Sequence, residues 1–484
     1  MTIHSRSSSI KASLAFGILL LNILLAQSVR AAGPWYVAPG GSDSNSCLSA
    51  GSPCATINGA IGKAASGDTI YVATGVYTNS TGSEVVLIDQ DITLSGGWDV
   101  AFTTQTGMST VDGEGARQGI AVNSGIIATI EGFVIQDGST EYGGGIYTEG
   151  TLTLKNSTVS SNTSQYSGGG IFNIGILTLN NSTVSGNTSQ SSGGGIWNNS
   201  GTITLNNSTV SGNTSQNNAG GGIINLDTMT FNNSSVSSNT SQGDIGGIFN
   251  DGTLTLNNST VSGNTSVAFG GGIWNTRGTV TLNNSTVSGN ISESDVGGIF
   301  NIGILTLNNS TVSGNTSQTG NFGGIYNGSG TVTLHNSTVS SNTSQTGNFG
   351  GIYNSEGTMT LKNSILAGNS ASGSGPDCTG DIVSSGYNLI GNTTGCTFTA
   401  STGDLLNINP MLFPLIVSLG VHPLLPWSPA INAGNPAGCT DNLGNPLNTD
   451  QRGVAHVGRC DIGAYEYDPN YDPLSYMFLP LIVK

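Results

Sequence analysis

Residues Gly193–Ser215 read GGGIWNNSGTITLNNSTVSGNTS. The stretch opens on three glycines, carries five asparagines and holds no charged side chain. It recurs with small changes along the chain. The Asn of its Asn-Ser step falls at Asn156, Asn181, Asn207, Asn233, Asn258, Asn284, Asn309, Asn336 and Asn363, at intervals of 25 to 27 residues. A degenerate copy, IEGFVIQDG from Ile130, lies one period upstream. A fixed period of this size marks an array of stacked supersecondary units.

Inside each unit the apolar residues alternate with period two. TLTL puts Leu152 and Leu154 on one side and Thr151 and Thr153 on the other, and STVS turns Val159 inward. Three short strands per unit follow: Gly-Gly-Ile-aromatic-Asn, Thr-x-Thr-Leu and Ser-Thr-Val-Ser, separated by Gly and Asn turns. Three strands per unit stacked in register give an all-β fold, a single-stranded parallel β-helix. Each strand then pairs with its equivalent one turn along, at roughly 4.8 Å.

The asparagines fit this scheme. Asn162, Asn187, Asn213, Asn239, Asn264, Asn290, Asn315, Asn342 and Asn369 share one register position. Stacked there, their amides can hydrogen-bond along the column, and asparagine also tolerates the left-handed backbone of a sharp corner.

Composition excludes several function classes. Charged residues are 8% of the chain and the net charge is −16, so no basic stripe exists for nucleic acid. At the N-terminus Arg6 and Lys11 precede an apolar run, Leu14 to Leu25, and then Val29-Arg30-Ala31. This reads as a secretory signal over residues 1–32, too short for a membrane span. Six cysteines suit an oxidising destination. They form three local couples: Cys47 with Cys54, Cys378 with Cys396, and Cys439 with Cys460. None has the spacing of a zinc site.

The repeat units GGGIYTEGTLTL and STVSGNTS resemble the right-handed parallel β-helix repeats of secreted and outer-surface bacterial proteins. They are similar to polymorphic outer-membrane-protein repeats. The segment WYVAPGGSDSNSCLSAGSPCATINGAIGKAASGDTIYVATGVYT resembles the N-terminal cap of pectate-lyase-like β-helices, which implies a short helix at about Ala55 to Ala64 over the first turn. SGYNLIGN from Ser385, SPAINAG from Ser428, DQRG from Asp450 and CDIGAYE from Cys460 resemble a choice-of-anchor Q domain. These resemblances imply the divisions 1–32 leader, 33–127 cap and irregular first turns, 128–376 regular repeats, 377–467 C-terminal turns and cap, and 468–484 tail.

Catalytic chemistry is sparse. A polysaccharide lyase needs a base beside a bound carboxylate. Between Gly143 and Ser370 the strong bases are Lys155, Arg277 and Lys362, and the two lysines lie eight turns apart. His335 shares their slot and reads as a solvated turn residue. A glycosidase needs paired carboxylates. Asp244 and Asp295 share a register two turns apart with Glu293 nearby, and Asp227 and Asp251 are on successive turns, with no His or Arg expected beside either group. The plainer role for these acids is solubility. Asp450, Arg452, Asp461 and Glu466 are expected to lock a cap over the last turn, Arg452 pairing with the acids. Neither a metal nor a cofactor is expected.

The residue after the unvarying Ile of the Gly-Gly strand is Tyr147, Phe172, Trp197, Ile224, Phe249, Trp274, Phe300, Tyr326 and Tyr353. The invariant Ile suits the core, which puts the aromatics outward as a ladder of flat faces for sugar rings or another surface. The Thr-x-Thr column, broken by Ile176 and Ile304, is similar to ice-binding faces, although threonine is a common outward strand residue. The expectation is a secreted or cell-surface monomer that binds a polysaccharide or cell-surface component. A polysaccharide lyase or glycoside hydrolase is the rival.

Overall fold

The computed structural model describes residues 33–470, so the leader and the apolar tail Met477–Lys484 lie outside the described residues. The chain winds into a right-handed parallel β-helix of about 12 turns with ~26 residues per turn. Pairing follows the repeat: Ile196 faces Ile171 on one side and Ile223 on the other, and Leu205 faces Leu179 and Phe231.

Each regular turn carries four strand segments, one more than the repeat predicts. Ile196–Asn198, Thr202–Asn206 and Thr209–Ser211 match the expected three, and the two-residue strand Thr214–Ser215 adds a fourth. Two residues are too short for a period to show, yet they pair from turn to turn. The rows assemble into sheets of 26, 14 and 10 strands. The largest joins two rows because Cys378–Ser384 pairs with both Ile352–Asn354 and Thr358–Lys362.

The interior is built from one apolar and one polar half. In the turn that opens at Gly193, Ile196, Ile203, Leu205 and Val210 are fully buried, and so are Asn198, Asn213 and Ser215. The Asn162-to-Asn369 column is a continuous ladder. Asn213 donates from its backbone N and its Nδ2 to Oδ1 of Asn239, at 3.0 and 2.9 Å, and Nδ2 also reaches the carbonyl of Val184. The glycine before the invariant Ile is a consequence. A Cβ on Gly195 would lie 2.7 Å from the Gly222 carbonyl and 2.9 Å from the Asn213 amide.

The left-handed corners are not on this column. One set belongs to the Asn-Ser step, where Asn156 through Asn363 all hold φ near +50°, and another to the Gly or Ser just before each column member, as at Gly212 and Ser238. Asparagine is the non-glycine residue best suited there, because its short polar side chain lowers the cost of that region. A second buried ladder, unforeseen from sequence, runs from Asn173 to Asn354 just past the aromatic position. Asn198 Nδ2 donates to Asn225 Oδ1 at 2.8 Å and Asn225 to Asn250 at 2.7 Å.

At the N-terminal end the expected helix is shorter than its sequence window. Helix α1 spans Ile57–Ile61, N-capped by Thr56, whose side chain accepts from Gly59 N. The loop before it is anchored by Asp43, which accepts from Ala55 N, Thr56 N and the Thr56 hydroxyl. All three expected disulfides are formed.

The C-terminal segment does not close the last turn. It folds back as a strap along the Ser-Thr-Val-Ser flank. Thr286 Oγ1 donates to the Gly420 carbonyl at 3.0 Å, Thr311 Oγ1 donates to Gln451 Oε1 at 2.7 Å, and Ala464 N donates to Thr338 Oγ1 at 3.1 Å. Thr286, Thr311 and Thr338 are buried by it, whereas Thr158, Thr183 and Thr209 keep contact with solvent. The flank repeats a hydroxyl every turn, so a polar strap finds a partner at each step. Val421, Leu424, Ala430, Ile462 and Tyr465 make a small core of their own with Ile365 and Leu389.

His335 is a further correction. It lies partly buried under this strap, its Nδ1 3.1 Å from the Thr440 carbonyl, and burial pushes its pKa down.

Candidate functional site

The aromatic position of the Gly-Gly-Ile strand points out of the solenoid. The invariant Ile and the following Asn (Thr148 in the first copy) are buried on either side of it, and all eight aromatics are partly exposed. Ile224, the aliphatic member, is 3% exposed and divides the stripe in two.

Their rings do not present free faces throughout. Tyr147 stacks on Phe172 at 5.5 Å with 2° between planes, and Phe172 on Trp197 at 6.4 Å and 9°. Stacking at one ring per turn covers each face with the next ring, so solvent meets edges. The second half is less regular. Trp274 is tilted 57° from Phe249 and 55° from Phe300, which exposes parts of faces. Phe300, Tyr326 and Tyr353 continue the row at 4.8 and 5.7 Å.

A second aromatic column, absent from the sequence-based stripe, widens it. Tyr142 and Tyr166 pack together at 5.4 Å, Phe269 lies 5.9 Å from Trp274, and Phe322 and Phe349 pack against Tyr326 and Tyr353 at 4.6 and 4.3 Å. Their signal was legible: each stands directly, or one residue removed, before a Gly-Gly pair, as in YGGG, YSGGG and FGGG. Tyr142, Tyr166 and Phe269 are about two-fifths exposed, more than the first column.

Asp244 and Asp295 border this stripe. Ile245 pairs with Gly270 and Gly270 with Val296, so the two acids share a register with Phe269 on the turn between them. Two turns at ~4.8 Å put them about 10 Å apart along the axis. An inverting glycosidase would hold a water between its carboxyl groups. Here the intervening position belongs to a phenyl ring. Burial pushes the Asp244 carboxyl up. Glu293 is exposed, with its backbone N paired to Ser266.

Two of the three bases, Lys362 and Arg277, are committed elsewhere. Lys362 Nζ donates to Thr440 Oγ1 at 2.8 Å. Asp251, expected to stand without a cation, instead receives Arg277 from the next turn at 2.5 and 3.1 Å. That guanidinium and the neighbouring Thr276 hydroxyl hold its carboxyl down at about 2. No group of three or more His, Cys, Asp or Glu side chains among the described residues could hold a metal ion. No helix there is long and apolar enough to cross a membrane.

The C-terminal acids are divided among different partners. Asp450 and Arg452 form a buried ion pair at 2.6 Å, and Arg452 lies over the Tyr465 ring at 3.7 Å. Glu466 takes His456, a residue sequence reasoning passed over, at 2.7 Å. Asp461 accepts from the backbone N of Asn432 and Tyr467, both at 2.6 Å. Burial outweighs those bonds and lifts its carboxyl to about 7. These contacts tie residues 432–467 of the strap to one another.

No family model matches the chain, and no curated protein matches it. A solved structure similar to it is that of pectate lyase Pel9A, with 15% identity and a TM-score of 0.41 over 90% of this chain and 98% of that one.

Proposed function

We propose that this protein is a secreted or cell-surface binding module that contacts a neutral polysaccharide along its aromatic stripe. The observation that carries the reading is the double aromatic column, with Tyr142, Tyr166 and Phe269 held out to solvent and Phe269 standing between Asp244 and Asp295. Aromatic faces and edges take up the apolar side of a sugar, and carboxylates accept from its hydroxyls. A net charge of −16 argues against an anionic chain as the ligand. The resemblance of the C-terminal motifs to choice-of-anchor Q domains supports surface attachment.

An array of immobilised polysaccharides, paired with a product assay on each glycan retained, tests this. Retention weakened by Trp274→Ala or Phe269→Ala, without product, is the expected result. New reducing ends or unsaturated sugars that vanish in Asp244→Asn or Asp295→Asn would instead make the protein a carbohydrate-active enzyme.

A further inference from the structure

Trp427 is the most exposed large apolar side chain described, at 89% of its full surface, and its backbone sits at φ +75°. A bulky side chain in the left-handed region is a genuine outlier, held only where the surroundings over-determine it. Those surroundings are visible. Trp427 stands between Pro426 and Pro429, and buried Ser428 donates to the Pro410 carbonyl at 2.6 Å. One step back, Leu425 N donates to the Met411 carbonyl at 2.9 Å, and Met411 is left-handed as well, at φ +52°. The strap therefore bears a strained, rigid corner whose visible product is an indole in solvent.

Pro410 also lines a cavity of about 680 Å³ between the last turns of the solenoid and the start of the strap. That is within the range of small-ligand sites. Leu412 and the largely buried Phe413 give it an apolar floor. Three asparagines give it polarity, and each is anchored by its oxygen. Asn392 Oδ1 accepts from Thr394 N at 2.8 Å, Asn407 Oδ1 from Thr393 N at 3.0 Å, and Asn409 Oδ1 from Met411 N at 2.8 Å. The three Nδ2 groups have no partner among the described residues, so the lining offers fixed, unused donors. No lysine or arginine lines the cavity, and its one acid, Asp377, is buried and occupied by Asn369.

We infer that this cavity, together with Trp427 on the segment that Ser428 ties to the lining residue Pro410, is a saccharide-binding site for a short neutral oligosaccharide or the end of a neutral glycan chain. Amide donors suit hydroxyl and ring oxygens, the indole supplies a stacking face, and the absence of cations together with the negative net charge disfavours an acidic sugar. The site is separate from the aromatic stripe and does not depend on it.

The test is titration of the full mature chain with neutral oligosaccharides (gluco-, manno-, xylo- and chito-series) and with oligogalacturonate, by calorimetry and tryptophan fluorescence. At least one neutral series should bind, with affinity falling about tenfold or more in Trp427→Ala and in Asn409→Ala, and only partly in Trp427→Phe. Val100→Ala, an exposed position far from both the cavity and the stripe, should leave it unchanged. Since Trp427 is exposed, its replacement does not threaten folding, and a circular dichroism spectrum matching the parent confirms that. Absence of binding by every neutral series, preference for oligogalacturonate, or full affinity in Trp427→Ala would overturn the assignment. Loss in Trp274→Ala with Trp427→Ala unaffected would place the sugar on the stripe instead.

Discussion

Asn369 donates from both its backbone N and its side-chain Nδ2 to one carboxylate oxygen of Asp377, at 2.9 and 3.0 Å. Every amide in the column passes its hydrogens in the same direction, so the last member needs a partner that only accepts. The chain supplies an aspartate there and asparagine everywhere before. Chains of like-oriented hydrogen bonds polarise one another, which makes the end as consequential as the middle.

Replacing Asp377 with Ala leaves two buried donors of Asn369 unpaired, at a cost of about 1–3 kcal/mol each. Asp377→Asn keeps an acceptor and removes a buried charge, whose carboxyl pKa burial has raised. Thermal melts near neutral pH should therefore show Asp377→Ala well below the parent and Asp377→Asn between the two, since its amide NH2 would oppose the Asn392 N–H that the carboxylate also accepts. Equal losses for both would contradict the role of the acceptor.

Within the ladder, Asn264 accepts from Asn239 twice and donates to Val236 O and Asn290 Oδ1. Asn264→Ala should cost about 2–4 kcal/mol, since buried donors and an acceptor lose their partners together. The exposed Gln242→Ala, on a neighbouring loop, should be neutral by the same denaturation assay.

Gln451 ties the strap to the solenoid flank. It donates to the Thr286 hydroxyl and the Gly420 carbonyl and accepts from the Thr311 hydroxyl. Gln451→Ala should raise hydrogen exchange across residues 417–466 while residues 171–260 exchange as before. A solenoid is stabilised mainly between neighbouring turns, so distant turns should not feel the loss.

The strap should also be pH-sensitive. Asp461 titrates at about 7 in the fold against an ordinary value of 3.8, so its contribution falls as pH rises through that window. For His456, burial lowers the pKa but the bond and charge of Glu466 outweigh it, and the net shift is upward. That contribution is present below the ordinary 6.5 and is lost above it. His422 runs the other way. Burial lowers its pKa while it bridges Ser313 and the Phe413 carbonyl, so stability falls as pH drops below 6.5. Protection of the strap should peak in mildly acidic solution and decline towards alkaline pH. Asp461→Asn should flatten the alkaline side, as read by hydrogen exchange at a series of pH values.

Trp274 carries its indole Nε1 buried without a hydrogen-bond partner. Trp274→Phe removes that unpaired donor and keeps a ring against Phe269 and Phe300, so stability should stay within about 1 kcal/mol of the parent. Trp274→Ala removes the ring contacts as well and should melt lower.

What the sequence determined by itself is the solenoid. Period-two alternation, a repeat near 26 residues and a column of asparagines are local features, and the stacking of identical strands converts them directly into register. The outward aromatic position was legible for the same reason, since an invariant Ile fixes which side its neighbour takes. Tertiary structure decided the rest, wherever residues distant in sequence meet. Ring stacking hides the faces of Tyr147 and Phe172, Phe269 stands between Asp244 and Asp295, and the strap lies along the flank with Gln451 against Thr286 and Thr311. The first two depend on how neighbouring turns stack their side chains. The strap has no period at all: it depends on where a chain that has left the repeat finds unpaired hydroxyls and amides, and that surface exists only once the turns have stacked.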